Sequence, residues 1–381
     1  MKILLDEAFP EQRDRYRDGK PGCHSMPLRF WGFSVTRASQ EAAPRGKERR
    51  VRVDVHAHYV PPRILEALER DTAPYGVQVQ QAEGGGRCIH FGYGVTLRPF
   101  HPHLLDLDER WRFMDAQGVD RQILSVWTDL SGYGLESAVA ARWHRLLNEA
   151  LTEVVQRHPQ RLAALASVPL QDPARAAQEL AYSVRQCGAV GGVIGTNIEG
   201  QNLDAPALDE FWSAAVELQV PLFLHPVEPI FPPRVRQYYL HALTYYLYDT
   251  TATVGAMLFS GVLDRFPDLQ LILSHGGGFF PYHAGRFDII YTNLAQTREH
   301  LAQPPSTYLR RFYYDTIVHH PMALQFLCTM VGSDHLLLGT DYPFPVADPD
   351  PLRLYAQAGF PEADIAAMAG GNAQALFHLQ Q

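Results

Sequence analysis

Two histidines one residue apart, His56 and His58, close the stretch Val51-Arg52-Val53-Asp54-Val55-His56-Ala57-His58. The stretch alternates apolar and polar side chains as a β-strand does, and in a strand residues i and i+2 share a face. Both imidazoles therefore aim at one point. Neutral imidazole is the commonest protein ligand for a divalent transition ion, so this is a metal-site signal. A lone H-x-H among 17 histidines is also a frequent coincidence. Its weight depends on whether other ligand-capable residues reach the same place, and three stand at the ends of later apolar runs. Pro221-Leu222-Phe223-Leu224 ends in His225, Leu271-Ile272-Leu273-Ser274 in His275, and Leu336-Leu337-Leu338-Gly339-Thr340 in Asp341.

A repeated architecture must position them. Short β-branched or leucine-rich runs recur at 51–55, 122–126, 162–168, 190–194, 220–224, 269–273, 312–316 and 335–339. Segments with helical spacing, such as 136–157 and 173–186, lie between them. Near-continuous apolar strands alternating with helices predict a buried parallel sheet, and eight repeats predict an α/β (β/α)8 TIM-type barrel. An open doubly wound sheet is disfavoured because no G-x-G-x-x-G follows the first strand. In a closed barrel the C-terminal strand ends meet around one mouth, which makes neighbours of His56, His58, His225, His275 and Asp341. The long insertion at 59–120 holds Gly84-Gly85-Gly86, a predicted hairpin at 87–97 and a helix ending at Gly118. It sits at that mouth, either as a pocket wall or lid or as plain decoration of the barrel.

Composition narrows the function classes. With 46% hydrophobic and 19% charged residues the chain folds around a sizeable core. A net charge of −8 without a long basic run argues against a nucleic-acid partner. Cys23, Cys88, Cys187 and Cys328 show no C-x-x-C spacing, which predicts thiols in a reducing compartment. The longest apolar stretch, 253–263, falls short of the roughly 20 residues that span a bilayer, so a cytoplasmic protein without a membrane partner is expected. Residues 1–50 are polar and punctuated by Pro and Gly, and read as an N-terminal extension to a barrel domain at 51–381.

H-x-H on the first strand, His on the fifth and sixth, and Asp on the eighth resemble the amidohydrolase superfamily. Ser274-His275-Gly276-Gly277-Gly278 and Leu338-Gly339-Thr340-Asp341-Tyr342-Pro343-Phe344-Pro345 are similar to its decarboxylase branch, the family of α-amino-β-carboxymuconate-ε-semialdehyde decarboxylase. Met114-Asp115-Ala116-Gln117-Gly118-Val119-Asp120, Pro159-Gln160-Arg161 and Val168-Pro169-Leu170-Gln171-Asp172 add to the resemblance, which runs in order over 51–377. Two-metal members carry a carboxylated lysine at the end of strand four. Here that strand ends in Gly195-Thr196-Asn197. The resemblance therefore implies one divalent ion, zinc with manganese as the alternative, held by His56, His58, His225 and Asp341. It implies His275 as the general acid or base.

The activity implied is non-oxidative decarboxylation of a small unsaturated or aromatic carboxylic acid. Hydrolysis of a C–N, C–O or C–C bond at the same metal is the alternative. Arg98, in Arg98-Pro99-Phe100, and Arg286, in Gly285-Arg286-Phe287, resemble positions that bind substrate carboxylates, a task suited to arginine's planar fork. In the family the second arginine acts across a dimer interface, which implies a homodimer. There is one departure: Trp-Asp usually follows the strand-five histidine, whereas Val227-Glu228 stand here after Pro226. That change reshapes the pocket. The aromatic-rich segment 238–248 reads as a buried helix face, with apolar contact to the substrate as the alternative.

Overall fold

The computed structural model describes residues 51–82, 85–227 and 231–380. The expected extension at 1–50, Gly84 and Glu228 lie outside the described residues. In chain order the strands are β1 (Val53–Tyr59), β2 (Val77–Gln81), β3 (Arg87–Phe91), β4 (Arg121–Val126), β5 (Leu162–Ser167), β6 (Gly191–Gly195), β7 (Leu222–His225), β8 (Leu271–Leu273), β9 (Phe312–Asp315) and β10 (Leu336–Leu337). β2 and β3 form an antiparallel pair of their own, and the other eight form one sheet in the order β1-β4-β5-β6-β7-β8-β9-β10. Each of the eight apolar runs becomes a strand, and the neighbours pair in parallel.

The sheet closes between β1 and the chain that follows β10. Val55 N donates to Leu338 O at 2.9 Å, Asp341 N to His56 O at 2.8 Å and His58 N to Tyr342 O at 2.8 Å. This is a (β/α)8 barrel with an insertion after its first strand. Its interior is a packed floor of Val53, Val55, Ile123, Leu165, Val193, Phe223, Ile272 and Leu337, sealed by Ala373, Leu376 and Phe377 near the C-terminus. Each such side chain, fully buried, contributes about 1.5–3 kcal/mol. Helices cover the outside. Ser137–Arg157 starts at Glu136, whose carboxylate accepts from Ala138 N and Val139 N. Pro173–Cys187 starts at Asp172 with proline in its first turn. Leu107–Gln117 stops at Gly118, which has φ 66°. The left-handed region there suits a residue without Cβ.

Three local features differ from simple sequence alternation. The β1–β4 register shifts between Asp54 and Ala57. The irregularity lets Val55 pack in the barrel floor while the next residue, His56, also faces inward, its ring 4.8 Å from that of Phe223. Second, the insertion holds more strand than the hairpin expected at 87–97. β2 pairs with β3, and the chain then turns back again, with Phe91 N donating to Val95 O and Leu97 N to Ile89 O. β2 carries only two valines among three glutamines, too few apolar residues to stand out. Third, segment 238–248 is not a buried helix face. Tyr238, Tyr239 and Tyr248 are 82%, 51% and 58% exposed. A π-helical turn, His241–Tyr245, precedes the helix Tyr246–Phe259. Its wider winding breaks the 3.6-residue periodicity that would put these rings on one face.

Candidate metal centre

Above the apolar floor, the inward positions at the C-terminal strand ends become polar. β1 contributes His56 and His58, β7 ends in His225, His275 opens the turn after β8, and Asp341 follows β10. One ligand atom from each of His56, His225, His275 and Asp341 lies within 4.8 Å of the others. His58 joins them: its Nε2 is 3.1 Å from His56 Nε2 and 3.3 Å from Asp341 Oδ1. Asp341 Oδ1 is 3.3 Å from His56 Nε2, and its Oδ2 is 3.4 Å from His275 Nε2. All five predicted residues therefore meet at one point. Asp341 and His275 both have left-handed backbones, φ 61° and 54°. Such strain in residues without glycine's freedom is characteristic of functional sites.

A surrounding shell fixes which atoms face the centre. Asp315, at the end of β9, lies 2.7 Å from His56 Nδ1 and accepts from the backbone N–H groups of His275, Gly276 and Ile317. Its carboxylate holds the proton on Nδ1, leaving a lone pair on Nε2. His225 Nδ1 lies 2.8 Å from Pro226 O, which can only accept, and 3.1 Å from Thr128 Oγ1. His225 Nε2 is thus also unprotonated, and it has no hydrogen-bond partner among the described residues; nor has Asp341 Oδ1. Ser125 Oγ lies 2.9 Å from His58 Nδ1. Buried lone pairs turned towards one another, with carboxylate oxygen beside them, require a cation, and the donor set fits one divalent ion.

Electrostatics agree. Burial opposes protonation of His56, but Asp341 and Asp315 outweigh it and hold its pKa up to about 10. Burial lowers His58 to about 4, with the His56 charge adding to it and Asp341 opposing. Burial and then the neighbouring histidines push His225 well below its usual value. Burial would raise Asp341, but His56, His275 and His58 hold it well below the usual carboxylate range. Without an ion, the cluster thus holds one positive charge on His56, beside the neutral imidazoles of His58 and His225 and the ionised Asp341 carboxylate. Ligation needs His56 neutral as well, so a bound cation takes the place of the proton that these carboxylates attract to it.

Arg98, from the insertion, reaches the wall of this centre. Its guanidinium lies 5.1 Å over the Trp127 ring and 5.4 Å over that of Phe344, and 3.5 Å from Asp129 Oδ2. Phe344 in turn packs 5.3 Å from His58, and Tyr246, hydrogen-bonded to Arg98, stacks 6.5 Å from His275. Arg286 is not brought there within one chain; it is exposed on the helix Phe280–Asn293. Asp315 is the residue that sequence reasoning missed. The signal was available, because Phe312-Tyr313-Tyr314-Asp315 finishes the seventh barrel strand with a carboxylate, just as Asp341 finishes the eighth.

Known proteins share this fold. The family profile described as Amidohydrolase matches residues 53–379. The chain is 31% identical over 329 residues to the 2-amino-3-carboxymuconate-6-semialdehyde decarboxylase of Dictyostelium discoideum, covering 85% of this chain and 91% of the relative. Among solved structures, 5-carboxyvanillate decarboxylase LigW from Sphingomonas paucimobilis aligns with a TM-score of 0.73 at 25% identity, over 87% of this chain and 100% of that one. A dihydroxybenzoic acid decarboxylase from Polaromonas sp. JS666, solved with bound manganese and the inhibitor 2-nitroresorcinol, aligns with a TM-score of 0.69 at 24% identity, over 87% and 98%. With the Amidohydrolase profile matched over nearly the whole barrel and the Dictyostelium discoideum relative matched over most of both chains, the chain belongs to the amidohydrolase family, in the decarboxylase branch.

Proposed function

We propose that the chain is a metal-dependent carboxy-lyase that releases CO2, without oxidation, from a small unsaturated or aromatic carboxylic acid. The observation that carries this reading is the convergence of His56, His58, His225 and Asp341 on one point, with His275 at the open side and Arg98 in the adjoining wall. We assign those four residues as ligands. They are 5% exposed or less, whereas the His275 side chain is 11% exposed and faces Tyr246. The ion, when bound, supplies a Lewis acid that polarises a substrate oxygen or lowers the pKa of water from about 15.7 towards roughly 7. Mixed nitrogen and oxygen donors suit zinc, our first assignment, and manganese is the second.

His275 has a proton-transfer role. When the carbon–carbon bond to the carboxylate breaks, the electron pair stays on the substrate carbon and CO2 leaves as a neutral molecule. We assign His275 to move the proton that this carbon takes up, a role supported by its Nε2 lying 3.4 Å from Asp341 Oδ2. Arg98 orients a substrate carboxylate or hydroxyl, and Trp127 and Phe344 flank the ring or conjugated chain. The insertion at 59–120 acts as a pocket wall, and the functional unit is the barrel at 51–381, with 1–50 as an extension. We further infer a homodimer in which Arg286 serves the partner's site. Support comes from the apolar outer face beside it, where Tyr282 and Ile289 are 72% and 59% exposed and Tyr282 packs 5.6 Å from Phe326. Cytoplasmic residence is supported by the free thiols of Cys187 and Cys328. Among the described residues, no helix is long and apolar enough to cross a membrane.

The test is CO2 release from carboxylated muconates and hydroxybenzoates by protein loaded with zinc or with manganese. Release from at least one of these acids is expected. Hydrolysis of amide, ester or lactone probes without any CO2 would overturn the reading.

A further inference from the structure

Next to the metal centre lies a cavity of about 420 Å³, bounded by the inserted hairpin and by the turns that follow β4, β6 and β7. Tyr93, Asp129, Tyr133, Asn197, Glu199 and Val227 are among its walls. Two wall residues link it to the centre. Val227 is two residues past His225, and Asp129 directly follows Thr128, whose hydroxyl lies 3.1 Å from His225 Nδ1. Arg98, in the wall of the metal centre, is the ion-pair partner of Asp129.

Most polar wall groups are already committed. Asn197 donates to Asp249 at 3.0 Å and accepts from Gly200 N at 2.9 Å. The Tyr133 hydroxyl accepts from Gly195 N at 2.9 Å. Asp129 differs. It is only 6% exposed, its ion pair to Arg98 is a long 3.5 Å, and no hydrogen bond to it occurs among the described residues. A carboxylate so enclosed retains acceptor capacity for a ligand. At the rim, Glu199 adds a second negative charge from a strained backbone, φ 52°. No Lys, Arg or His is among the walls. Room comes from Val227, which takes the space left by Gly195: a Cβ there would lie 2.3 Å from its Cγ2.

Glu199 has no cation among the walls and Asp129 only its long pair to Arg98, so the two carboxylates repel a third and favour hydrogen-bond donors. We propose that this cavity receives the end of the substrate remote from the leaving carboxylate, that Asp129 selects acids bearing a hydroxyl or amino group there, and that Val227 sets the room available. The proposal rests on the decarboxylase reading of the adjoining centre and narrows its substrate class.

Calorimetric titration of the metal-loaded full chain with benzoate, terephthalate and the 3- and 4-substituted methyl-, hydroxy- and aminobenzoates tests it. At one ring position the hydroxy and amino acids are expected to bind at least about tenfold tighter than the methyl acid, with terephthalate weakest. In Asp129→Ala that preference is expected to vanish. Asp129→Asn, which keeps the shape and removes the charge, should recover terephthalate binding about tenfold. Val227→Phe should weaken the substituted acids at least about tenfold relative to benzoate. Equal affinities across the wild-type panel, or a preference that persists in metal-loaded Asp129→Ala, would overturn the proposal. Binding is read without turnover. A lack of CO2 release with the discrimination intact therefore counts against the decarboxylase reading alone, and equal affinities with CO2 release count against the cavity alone.

Discussion

His56, His58, His225, His275 and Asp341 touch one another, yet their surroundings divide them. Asp315, Ser125 and Thr128 hold His56, His58 and His225 from behind, whereas His275 is anchored through its backbone N–H and its Nδ1 has no partner among the described residues. His56→Ala and Asp341→Ala are therefore expected to abolish metal binding, and His275→Ala to keep the metal and lose turnover. Elemental analysis alongside a CO2 assay checks this division, and a metal-free His275→Ala protein would contradict it. Asp315 acts through its neighbours, because one carboxylate orients His56 and pins the turn that carries His275. Asp315→Asn should lower metal affinity roughly 10–100-fold in competition against a chelator. Retention of full affinity would show that the ring needs no such support.

Among the elements, β1 does most to assemble the site. Asp54 accepts from His56 N, Gln122 Nε2, Thr340 N and Thr340 Oγ1, so one buried carboxylate joins β1, β4 and the chain after β10 at the seam where the barrel closes. Asp54→Ala leaves these donors without their acceptor and is expected to cost on the order of 3 kcal/mol in urea unfolding. The helix Ser137–Arg157 offers a pH test away from the metal. Its His144 is fully buried, 2.9 Å from Ser167 Oγ, and burial lowers its pKa to about 3 from the ordinary 6.5. Between those values the unfolded chain binds a proton that the folded protein refuses. Stability is therefore complete above pH 6.5 and falls as the pH drops, by at most about 1.4 kcal/mol per unit from this group. His144→Gln should flatten that slope in urea midpoints measured between pH 7 and 5. An unchanged slope would show that other groups dominate.

For the whole molecule, metal and assembly are the measurable quantities. A ligand that binds only the folded state at a thousandfold excess over Kd adds about 4 kcal/mol, so chelation should lower the melting temperature and restoring zinc or manganese should raise it again. Sedimentation of the intact chain should give a dimer, and Tyr282→Asp with Ile289→Asp should give a monomer whose activity falls along with that of Arg286→Ala. A fully active monomer would exclude a site shared between subunits. Much of this molecule was legible in one dimension. Eight apolar runs specify eight strands because buried parallel strands need continuous apolar sequence. Polar residues that end those runs specify the metal centre because a barrel brings every C-terminal strand end to one mouth. Short-range pattern could not reveal the rest. A register shift turned both Val55 and His56 inward, a π-helical turn exposed aromatics expected in the core, and Asp315 resembled any strand end until His56 lay against it. Arg98 was placed by a long insertion and Asp129 by a turn after β4, and only the folded barrel sets them side by side. The sequence by itself determined the strands and the polar residues that end them, since both follow from local periodicity and residue chemistry. The tertiary structure alone decided which groups surround them, because contacts between residues distant in the chain depend on how the whole barrel closes.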